Sequence, residues 1–297
     1  KTIKKIFFLM RRIGIISDVH DWHSDQIELN LKKYNCKVFR INFDELIFSF
    51  EKKKILFLND NKINKLSGLW VRFIDTGSIE EITTKLTILH LFKESNIYVH
   101  NSADVIEKTV DKVRTTGILG INGIYSPKTT VWFASKKNKS LPKKKKYLVK
   151  PIFGSQGNNI VMIKSEKDLK QISPVGGVYY LQEFIDSKKK NIYSDIRVLV
   201  SNHKIVSSME RVSDNFITNV FKGARCKKKE ITTELKALII KISKIFDLGY
   251  AGIDVKLDEK KIAILEINGI PSWKGMQKIE KKNISEILVK DFLKKIK

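Results

Sequence analysis

The amino-acid sequence predicts an α/β lobe followed by α+β lobes, and three observations support this mixed fold class. Over the first hundred residues, short apolar strands alternate with helical segments, which is the order found in parallel sheets. From about residue 101 onward, strands joined by short polar loops predominate, as in antiparallel hairpins. The 297 residues exceed what one small core needs and suit two or three packed lobes.

The chain is strongly basic. It carries 57 Lys and Arg residues against 32 Asp and Glu residues, and the formal net charge of +25 favours encounter with anions such as nucleotides, phosphates, acidic peptides or nucleic acid. Two explanations compete: a dedicated nucleic-acid surface, or the Lys-rich composition expected from an AT-rich genome. Proteins that bind nucleic acid tend to cluster Arg and interleave aromatic residues, and the sequence has no such block. We favour the composition effect and expect no nucleic-acid partner.

The cysteine content and hydropathy indicate a cytoplasmic protein. The 2 cysteines, Cys36 and Cys226, lie far apart and lack metal-ligand spacing, which favours a reducing environment without disulfides. No apolar run approaches the roughly 20 residues that a membrane span needs, so no membrane partner is expected. Residues 1–9 are expected to form an extension outside the fold, and the Lys run at 143–146 a solvated loop.

The N-terminal lobe begins with an apolar strand at 12–18, a helix at about 24–34 and a second strand at 36–41. This β-α-β order predicts a small Rossmann-like lobe with a parallel sheet. Arg72 ends an otherwise apolar strand, so it could bind a substrate carboxylate bidentately, although a surface arginine fits the sequence equally well. The remaining elements expected in this lobe are strands at 54–58, 69–73 and 98–99 and a helix at 79–94.

A second unit starts near residue 101 and is expected to hold helices and hairpins. Its amphipathic helix at 233–246 places apolar residues at helical spacing and therefore faces the core. Asp195 and Arg197 share one face of their strand because alternate residues of a strand point the same way. The other expected elements are helices at 104–119, containing Lys112, and at 284–296, and strands starting at 124 and spanning 147–151, 160–163, 179–185, 194–200 and 204–211.

The loop between the strands at 147–151 and 160–163 is a candidate phosphate flap. It holds Gly154 and Gly157, and its backbone N–H groups could cradle phosphate while Lys150 supplies charge. The loop lacks the pattern G-x-x-x-x-G-K-[ST] and leads into no helix, so it is neither a Walker loop nor a dinucleotide fingerprint. Two glycines in a hairpin are also compatible with an ordinary turn.

The stretch at 250–273 reads as a hairpin and is a candidate magnesium site. Glu266 and Asn268 are two apart and share a face, and a turn near 259–260 places Asp254 opposite or diagonal to Glu266. Mg²⁺ prefers carboxylate and amide oxygens and is usually held together with substrate phosphates. Taken alone, the same residues also fit an exposed strand edge with a turn-forming asparagine.

Seven short motifs occur in order between about residues 101 and 276: Asp111-Lys112, Val149-Lys150-Pro151 with Gly154-Ser155-Gln156-Gly157, Gln182-Glu183-Phe184-Ile185, Asp195-Ile196-Arg197, Asn219 with Gly223, Gly252-Ile253-Asp254, and Leu265-Glu266-Ile267-Asn268. Together they resemble the ATP-grasp superfamily, and most closely its RimK-type α-L-glutamate ligase branch. The resemblance implies an ATP-grasp fold with a Rossmann-like lobe at 1–100, a central lobe at 101–183 and a C-terminal lobe at 184–297.

The resemblance also implies where the nucleotide would bind. Its phosphates would meet Lys112 and Lys150 and would be covered by the flap residues Gly154, Ser155, Gln156 and Gly157. The adenine edge would meet Gln182, Glu183 and Phe184, and the ribose would meet Asp195.

Metal and substrate roles follow from the same resemblance. Mg²⁺, or Mn²⁺ in its place, would be held by Asp254, Glu266 and Asn268. The positions beside the transferred phosphoryl group and the acyl phosphate would be Arg197, Arg211 and Asn219. Trp70-Val71-Arg72 is similar to the substrate-side arginine motif of the family, whereas 213–226 and 272–276 depart from its pattern, so the acceptor is not carried over.

The sequence thus predicts an ATP-dependent carboxylate–amine ligase that works through an acyl phosphate and adds an amino acid, taken to be L-glutamate, to an acidic acceptor. Such chemistry needs positioning and charge neutralisation more than a protein nucleophile. The acceptor could be a protein C-terminus or a glutamylated cofactor such as a pterin, deazaflavin or furan. The alternatives are a dipeptide or other amino-acid ligase of the same fold and a non-catalytic basic protein that binds nucleic acid or ribosomes; a homo-oligomer stays open.

Overall fold

The computed structural model describes residues 10–51, 54–58, 65–135, 145–154, 157–186, 192–258 and 261–296. The expectations for residues 1–9, for 143–144 of the Lys run and for Ser155 and Gln156 of the flap lie outside these ranges. The chain divides into two compact units, one of residues 1–103 with 283–297 and one of residues 104–282. In the described ranges, no helix is long and apolar enough to cross a membrane.

The first unit contains the predicted parallel sheet. Four parallel strands lie in the order β2-β1-β5-β6. The strand expected at 54–58 pairs instead with its neighbour β3 in a separate antiparallel hairpin. The elements are β1 (Arg11–Ile16), α1 (Trp22–Lys33), β2 (Cys36–Ile41), β3 (Ile47–Glu51), β4 (Lys54–Leu58), β5 (Gly68–Val71), α2 (Ile79–Glu94) and β6 (Tyr98–His100).

Helix-capping residues and a buried sheet stabilise the fold of the first unit. Asp21 caps α1 and Ser78 caps α2, each through a capping box that satisfies N–H groups of the first turn. The C-terminal helix (Ile284–Leu293) groups with this unit, and its Phe292 ring lies 5.0 Å from the Trp70 ring. The three-lobe division, which assigns this helix to the C-terminal lobe, stays a prediction.

The second unit opens with two helices where the sequence predicts one. They are α3 (Ala103–Val110) and α4 (Lys112–Ile121). Asp111 has an extended backbone, with φ −82° and ψ 106°, and its side chain accepts hydrogen bonds from the N–H groups of Val113 and Arg114. The single helix predicted at 104–119 is therefore wrong, because Asp111 stops one helix and caps the next.

A four-stranded antiparallel sheet follows in the order β7-β10-β8-β9. Its elements are β7 (Thr129–Phe133), β8 (Tyr147–Lys150), β9 (Val161–Ile163), α5 (Glu166–Lys170) and β10 (Val178–Glu183). One face is covered by a small apolar cluster that includes Trp132, Val149 and Leu169. The predicted return of the chain after the flap is confirmed by the antiparallel pairing of β8 with β9.

The rest of the unit is a five-stranded antiparallel sheet in the order β13-β12-β11-β14-β15. Helix α6 covers one face, where its buried Ile239 and Ile242 join Val198 and Ile253 of the sheet in the main core. Since side chains alternate along a strand, the residues beside Val198 and Ile253 point to the opposite face. The elements are β11 (Tyr193–Ser201), β12 (Lys204–Ser213), β13 (Arg225–Lys228), α6 (Thr233–Ile245), β14 (Tyr250–Asp258), β15 (Lys261–Asn268) and α7 (Lys274–Gln277).

Candidate active site

The face of the five-stranded sheet opposite α6 collects charged side chains from four neighbouring strands. Strand register sets Arg197 of β11 opposite Asp254 of β14, and Asp254 opposite Glu266 of β15. The predicted opposition of Asp254 and Glu266 is confirmed. The same register sets Asp195 of β11 opposite Arg211 of β12, so five ionisable residues lie in adjacent rows on one face.

Asp254 is held by two arginines. Its Oδ1 lies 2.7 Å from Nε of Arg197 and its Oδ2 lies 2.7 Å from Nη2 of Arg197 and 2.9 Å from Nη2 of Arg211. The residue is only 4% exposed. Burial alone would raise the pKa of Asp254, but the charges of Arg197 and Arg211 outweigh burial and hold the pKa below its ordinary value. The carboxylate is therefore ionised and already neutralised by protein.

Asp195 forms a second buried ion pair. Nε and Nη2 of Arg211 each donate to one carboxylate oxygen at 2.6 Å, and the hydroxyl of Thr218 donates to Oδ2 at 2.5 Å. The side chain is thus engaged by protein donors in a residue that is 5% exposed. The ribose contact implied for Asp195 stays a prediction, and the structure gives this carboxylate a structural role that the sequence did not suggest.

Arg211 joins the two carboxylates. Burial opposes its charged form, yet Asp254 and Asp195 outweigh burial and raise the pKa of the guanidinium above its ordinary value. Arg197, Asp254, Arg211 and Asp195 therefore form a continuous charge ladder across β14, β11 and β12. Buried pairs of this kind depend on good geometry and fully used donors, because removing one partner leaves a desolvated charge.

Lys112, at the start of the second helix of the unit, contacts the flap and the hairpin of β14 and β15 that carries the predicted metal ligands. It is the first residue of α4, directly after the cap at Asp111. Its Nζ lies 3.5 Å from Oε1 of Glu266 and donates to the backbone oxygen of Gly154 at 3.1 Å. The structure thus brings Lys112, Glu266 and Gly154 together, and the phosphate contact of Lys112 stays a prediction.

Lys150 lies at the end of β8, where its Nζ donates to Oε1 of Gln182 at 2.6 Å. Its pKa is lowered from the ordinary 10.5 to about 8, chiefly by burial and also by the charge of Lys112, while Glu266 and Asp254 act in the opposite direction. These electrostatic neighbours belong to the charged cluster described above. Lys150 is therefore a partly buried cation close to the predicted metal ligands.

Side chains of the predicted adenine hinge already make contacts within the protein. The side-chain nitrogen of Gln182 donates to Thr129 Oγ1 at 3.1 Å and to Tyr180 Oη at 3.2 Å, so this amide is committed within the fold. Glu183 pairs with Lys145 at 2.5 Å. The Phe184 ring lies edge-on to Phe216 with centroids 6.1 Å apart. The adenine contacts of Gln182, Glu183 and Phe184 stay predictions.

The sequence interpretation missed two residues of the site, Lys256 at this hinge and Thr218 beside Asp195. The ammonium of Lys256 is 5.5 Å from the Phe184 ring centroid, and burial lowers the pKa of Lys256 while Asp195 and Asp186 partly oppose the shift. A lysine two residues after Asp254 shares its strand face, and this was a signal for placing Lys256 on the polar face. Thr218 gave no such signal, since its contact with Asp195 spans 23 residues of sequence.

The donor set fits a magnesium ion. Among the described residues, no group of three or more His, Cys, Asp or Glu side chains could hold a metal, so the predicted set needs the amide of Asn268 beside its two carboxylates. The side-chain nitrogen of Asn268 is buried without a hydrogen-bond partner among the described residues. Amide oxygen and nitrogen are assigned from such partners, so with the amide turned round its oxygen would take the place of this orphan nitrogen and could contact a cation.

The three predicted metal ligands differ in how readily their oxygens could contact the ion. The Glu266 side chain is 32% exposed and its ion pair with Lys112 is long, so its oxygens can turn to a cation. Asp254 has about one lone-pair position left after its three arginine contacts. Glu266 and Asn268 would therefore hold the ion, and Asp254 would contribute its remaining position. A Mg²⁺ ion held there would supply positive charge that neutralises the phosphate groups.

Arg72, the predicted substrate arginine, belongs to the first unit. It is buried, and its Nη2 lies 3.3 Å from Oδ2 of Asp21, which also contacts Nδ1 of His23 at 2.9 Å. Burial alone would raise the pKa of Asp21, but His23 and Arg72 outweigh it and hold the pKa well below its ordinary value. The substrate role of Arg72 stays a prediction.

Similarity to known proteins extends beyond these motifs. Residues 109–292 match the family described as the RimK-like ATP-grasp domain. The tetrahydromethanopterin:alpha-L-glutamate ligase of Methanococcus maripaludis is 32% identical over 291 residues, which cover 95% of this chain and 98% of that protein. The coenzyme gamma-F420-2:alpha-L-glutamate ligase of the same organism is 29% identical over 216 residues, which cover 68% of this chain and 74% of that protein.

The fold is also shared with solved structures. The ATP-grasp ligase PsnB, complexed with a phosphomimetic variant of a minimal precursor, Mg and ADP, superposes with a TM-score of 0.71 at 16% identity and covers 96% of this chain and 99% of that one. The family match spans more than half of the chain and includes every site residue predicted in the second unit. The chain belongs to the RimK-like ATP-grasp family and is a ligase that uses ATP and Mg²⁺ to form carbon–nitrogen bonds.

Proposed function

We propose that the protein joins the amine of L-glutamate to a carboxylate of an acidic, pterin-type acceptor, after ATP has converted that carboxylate into an acyl phosphate. The observation that carries this proposal is the extent of similarity to the tetrahydromethanopterin:alpha-L-glutamate ligase, which spans 95% of this chain and 98% of that protein. A relative that matches from end to end supports a shared acceptor class better than one that matches over part of its length.

The charges of the site support an acidic pair of substrates. Lys112, Lys150, Arg197 and Arg211 outnumber the carboxylates of Asp195, Asp254 and Glu266, so the cluster is net positive. Phosphoryl transfer to a carboxylate brings several negative charges together, and fixed cations in a desolvated site stabilise them without reorganisation.

The roles of the individual residues follow from their positions. Lys112 and Lys150 would contact the nucleotide phosphates, with Gly154 beside them. Glu266 and Asn268 would hold the metal ion, and Mn²⁺ would serve in place of Mg²⁺ because both accept oxygen ligands in octahedral sites.

The acyl phosphate would lie near Arg211 and Asn219. An acyl phosphate is itself a good electrophile, so the amine can attack it and release phosphate without a protein nucleophile. The residues would therefore act by positioning the reacting groups and by neutralising charge.

A deazaflavin acceptor is the second candidate. It is favoured by the 29% identity to the coenzyme gamma-F420-2:alpha-L-glutamate ligase, although that match covers only 68% of this chain. Neither relative supports the alternative of a non-catalytic basic protein.

The proposal can be tested by ligation with purified protein, Mg-ATP, L-glutamate and a panel of acceptors. The panel contains a pterin with an acidic side chain, a glutamylated deazaflavin and a peptide with a C-terminal glutamate. We expect ADP release and a mass gain of one glutamyl residue with the pterin, and neither product with a Glu266→Gln variant. Ligation to the deazaflavin or peptide alone would overturn the pterin assignment, and ligation of neutral amino acids alone would overturn the glutamate assignment.

A further inference from the structure

Three consecutive residues in the loop after β12 contact three separate parts of the active site. Phe216 packs edge-on against Phe184, with an interplanar angle of 85°. Ile217 lies so close to Gly157 that a Cβ placed on this glycine would be 2.7 Å from the Ile217 Cγ2 atom. Thr218 donates its hydroxyl to Asp195. This segment, 216–218, therefore touches the predicted adenine hinge, the end of the flap and the charge ladder.

The contact made by Thr218 reaches the charge ladder directly. Thr218 is 8% exposed, and the carboxylate oxygen that it contacts also accepts a hydrogen bond from Nη2 of Arg211 at 2.6 Å. The same Nη2 atom lies 2.9 Å from Oδ2 of Asp254. Hydrogen bonds to ionised groups in a buried setting are short and strong. One carboxylate thus fixes both the plane of the Arg211 guanidinium and the backbone at residue 218.

Asn219 follows immediately and is held on its other side as well. Its side-chain oxygen accepts a hydrogen bond from the N–H of Phe221 at 2.8 Å and caps a short 3-10 turn at Val220–Lys222. Val220 packs near Gly275 of α7, where a Cβ would lie 3.3 Å from the Val220 Cγ1 atom. With Thr218 anchored before it and this turn after it, Asn219 has a defined position relative to Arg211.

We infer that Thr218 is a positioning residue for the ligation step: its hydrogen bond to Asp195 holds Asn219 in line with Arg211 beside the reacting acyl phosphate. The inference rests on the proposed roles of Arg211 and Asn219. Among the residues that the structure describes, Asp195 is the one predicted nucleotide or metal ligand to which Thr218 is hydrogen-bonded, and the two Arg211 contacts of Asp195 do not depend on the hydroxyl. Loss of the hydroxyl should therefore affect the chemical step more than nucleotide binding.

The test compares Thr218→Val, which keeps the side-chain shape and removes the hydroxyl, with Thr218→Ser, which keeps the hydroxyl. We expect Thr218→Val to lower kcat between about 10-fold and 100-fold, as misplacement of a reacting group does, while the Kd for Mg-ADP changes less than about 3-fold. Thr218→Ser should recover most of the rate. Thr83→Val, an exposed site on α2, serves as the matched control and should retain the rate of the unmodified protein.

A second readout does not depend on the acceptor. Hydrogen–deuterium exchange of the segment 214–224 should be faster in Thr218→Val than in the unmodified protein, and Thr218→Ser should restore the slow exchange. Equal exchange in all three proteins would overturn the inference. It would also be overturned if Thr218→Ser were as slow in ligation as Thr218→Val. An equal loss of nucleotide affinity and of kcat in Thr218→Val would overturn it as well. If the unmodified protein ligates no acceptor, the proposed function fails, while the exchange data still decide whether Thr218 holds the loop.

Discussion

Asp254 and Glu266 face each other across β14 and β15, yet their environments differ sharply. Asp254 is buried and engaged by both Arg197 and Arg211, whereas Glu266 is half-buried and, within the described ranges, forms an ion pair with the more distant ammonium of Lys112 alone. Two carboxylates in one strand pair therefore have separate tasks. Asp254 joins the buried ladder on the sheet face, and we propose that Glu266 is the more accessible carboxylate for a metal ion.

Glu266→Gln should separate catalysis from folding. The substitution removes one formal charge with little change in shape, so we expect turnover to fall on the order of 100-fold or more at ordinary Mg²⁺ concentrations. The Tm should stay close to that of the unmodified protein, because the Lys112 ion pair is long and partly exposed. Steady-state turnover over a Mg²⁺ titration, with thermal unfolding of the same samples, measures both quantities. Near-normal turnover at low Mg²⁺ would refute the metal assignment.

Asp254→Asn is the matched change on the facing strand and should behave differently. It leaves two buried guanidinium groups without their shared anion, a loss that typically costs about 3 to 5 kcal/mol. We expect a clear fall in Tm for this variant and none for Glu266→Gln. Equal Tm values for the two variants would show that the ladder contributes no net stability.

Strand alternation was sufficient to predict the geometry of the hairpin formed by β14 and β15. Asp254, Glu266 and Asn268 could be placed on one face because the side-chain period of a strand and the position of one turn fix their relation locally. Lys256 could have been added by the same rule. Helix α6, with its clear apolar periodicity, was also predictable from a local pattern.

Contacts between residues far apart in the chain could not be predicted from local sequence patterns. The break at Asp111 was missed because a cap in the middle of a helical pattern looks like one more polar residue, and the Lys112 N–H lies near the Ile152 oxygen, which is 40 residues away in sequence. The contacts of Asp195 depend on the register of β11 and β12 and on the loop at 218. The grouping of the C-terminal helix with the first unit likewise depends on packing, for example of Phe292 on Trp70.

The lowered pKa of Lys150 predicts a pH-dependent nucleotide affinity. In the free protein this lysine loses its proton at a pKa of about 8, and a bound phosphate favours the charged form and so raises the pKa. Binding of Mg-ADP should therefore take up a proton near pH 8, and affinity should fall as the pH rises above about 8. Isothermal titration in two buffers of different ionisation enthalpy measures the proton uptake.

Lys150→Arg is the matched control for this prediction, since an arginine stays charged across the whole range. Its affinity should be lower, because the geometry changes, but independent of pH between about 7 and 9. Lys150→Ala should weaken nucleotide binding at every pH without unfolding the protein. Unchanged affinity in the alanine variant would identify Lys150 as an ordinary residue at a strand end.

Gly269 lies directly after the predicted metal ligand Asn268 and against α3. A Cβ on this glycine would be 2.4 Å from Oγ1 and 3.4 Å from Cβ of Thr109. Because Thr109 is buried and its hydroxyl bonds to the oxygen of Val105, Gly269→Ala should overpack this contact and destabilise the protein by about 1 to 3 kcal/mol.

Adding Thr109→Ala should recover much of that stability, because it removes the closest atom and leaves an ordinary contact. Urea denaturation of the two single variants and the double variant measures the coupling free energy. Purely additive losses would show that the strain lies elsewhere.

The net positive cluster predicts that glutamate is selected through its side-chain charge. A carboxylate that loses water on binding needs a charged partner, and a neutral analogue leaves that partner buried and unpaired. L-glutamine has the same shape without the charge, so kcat/KM for glutamine should be lower by at least about 100-fold. We also propose that Arg72 binds an acidic substrate, so Arg72→Lys should raise the KM for that substrate, because lysine cannot form the bidentate contact.

Salt gives an independent test of the same electrostatics. Screening at high ionic strength weakens encounter between the basic protein and an acidic acceptor, so the apparent KM of the acceptor should rise with added KCl while kcat changes little. The measurement is the ligation rate at several salt concentrations. A second acceptor, whose free carboxylates are converted to amides except at the reacting position, separates long-range attraction from the reaction itself. If glutamine is used as well as glutamate and salt leaves the acceptor KM unchanged, the glutamate assignment is wrong although the ATP-grasp fold stands.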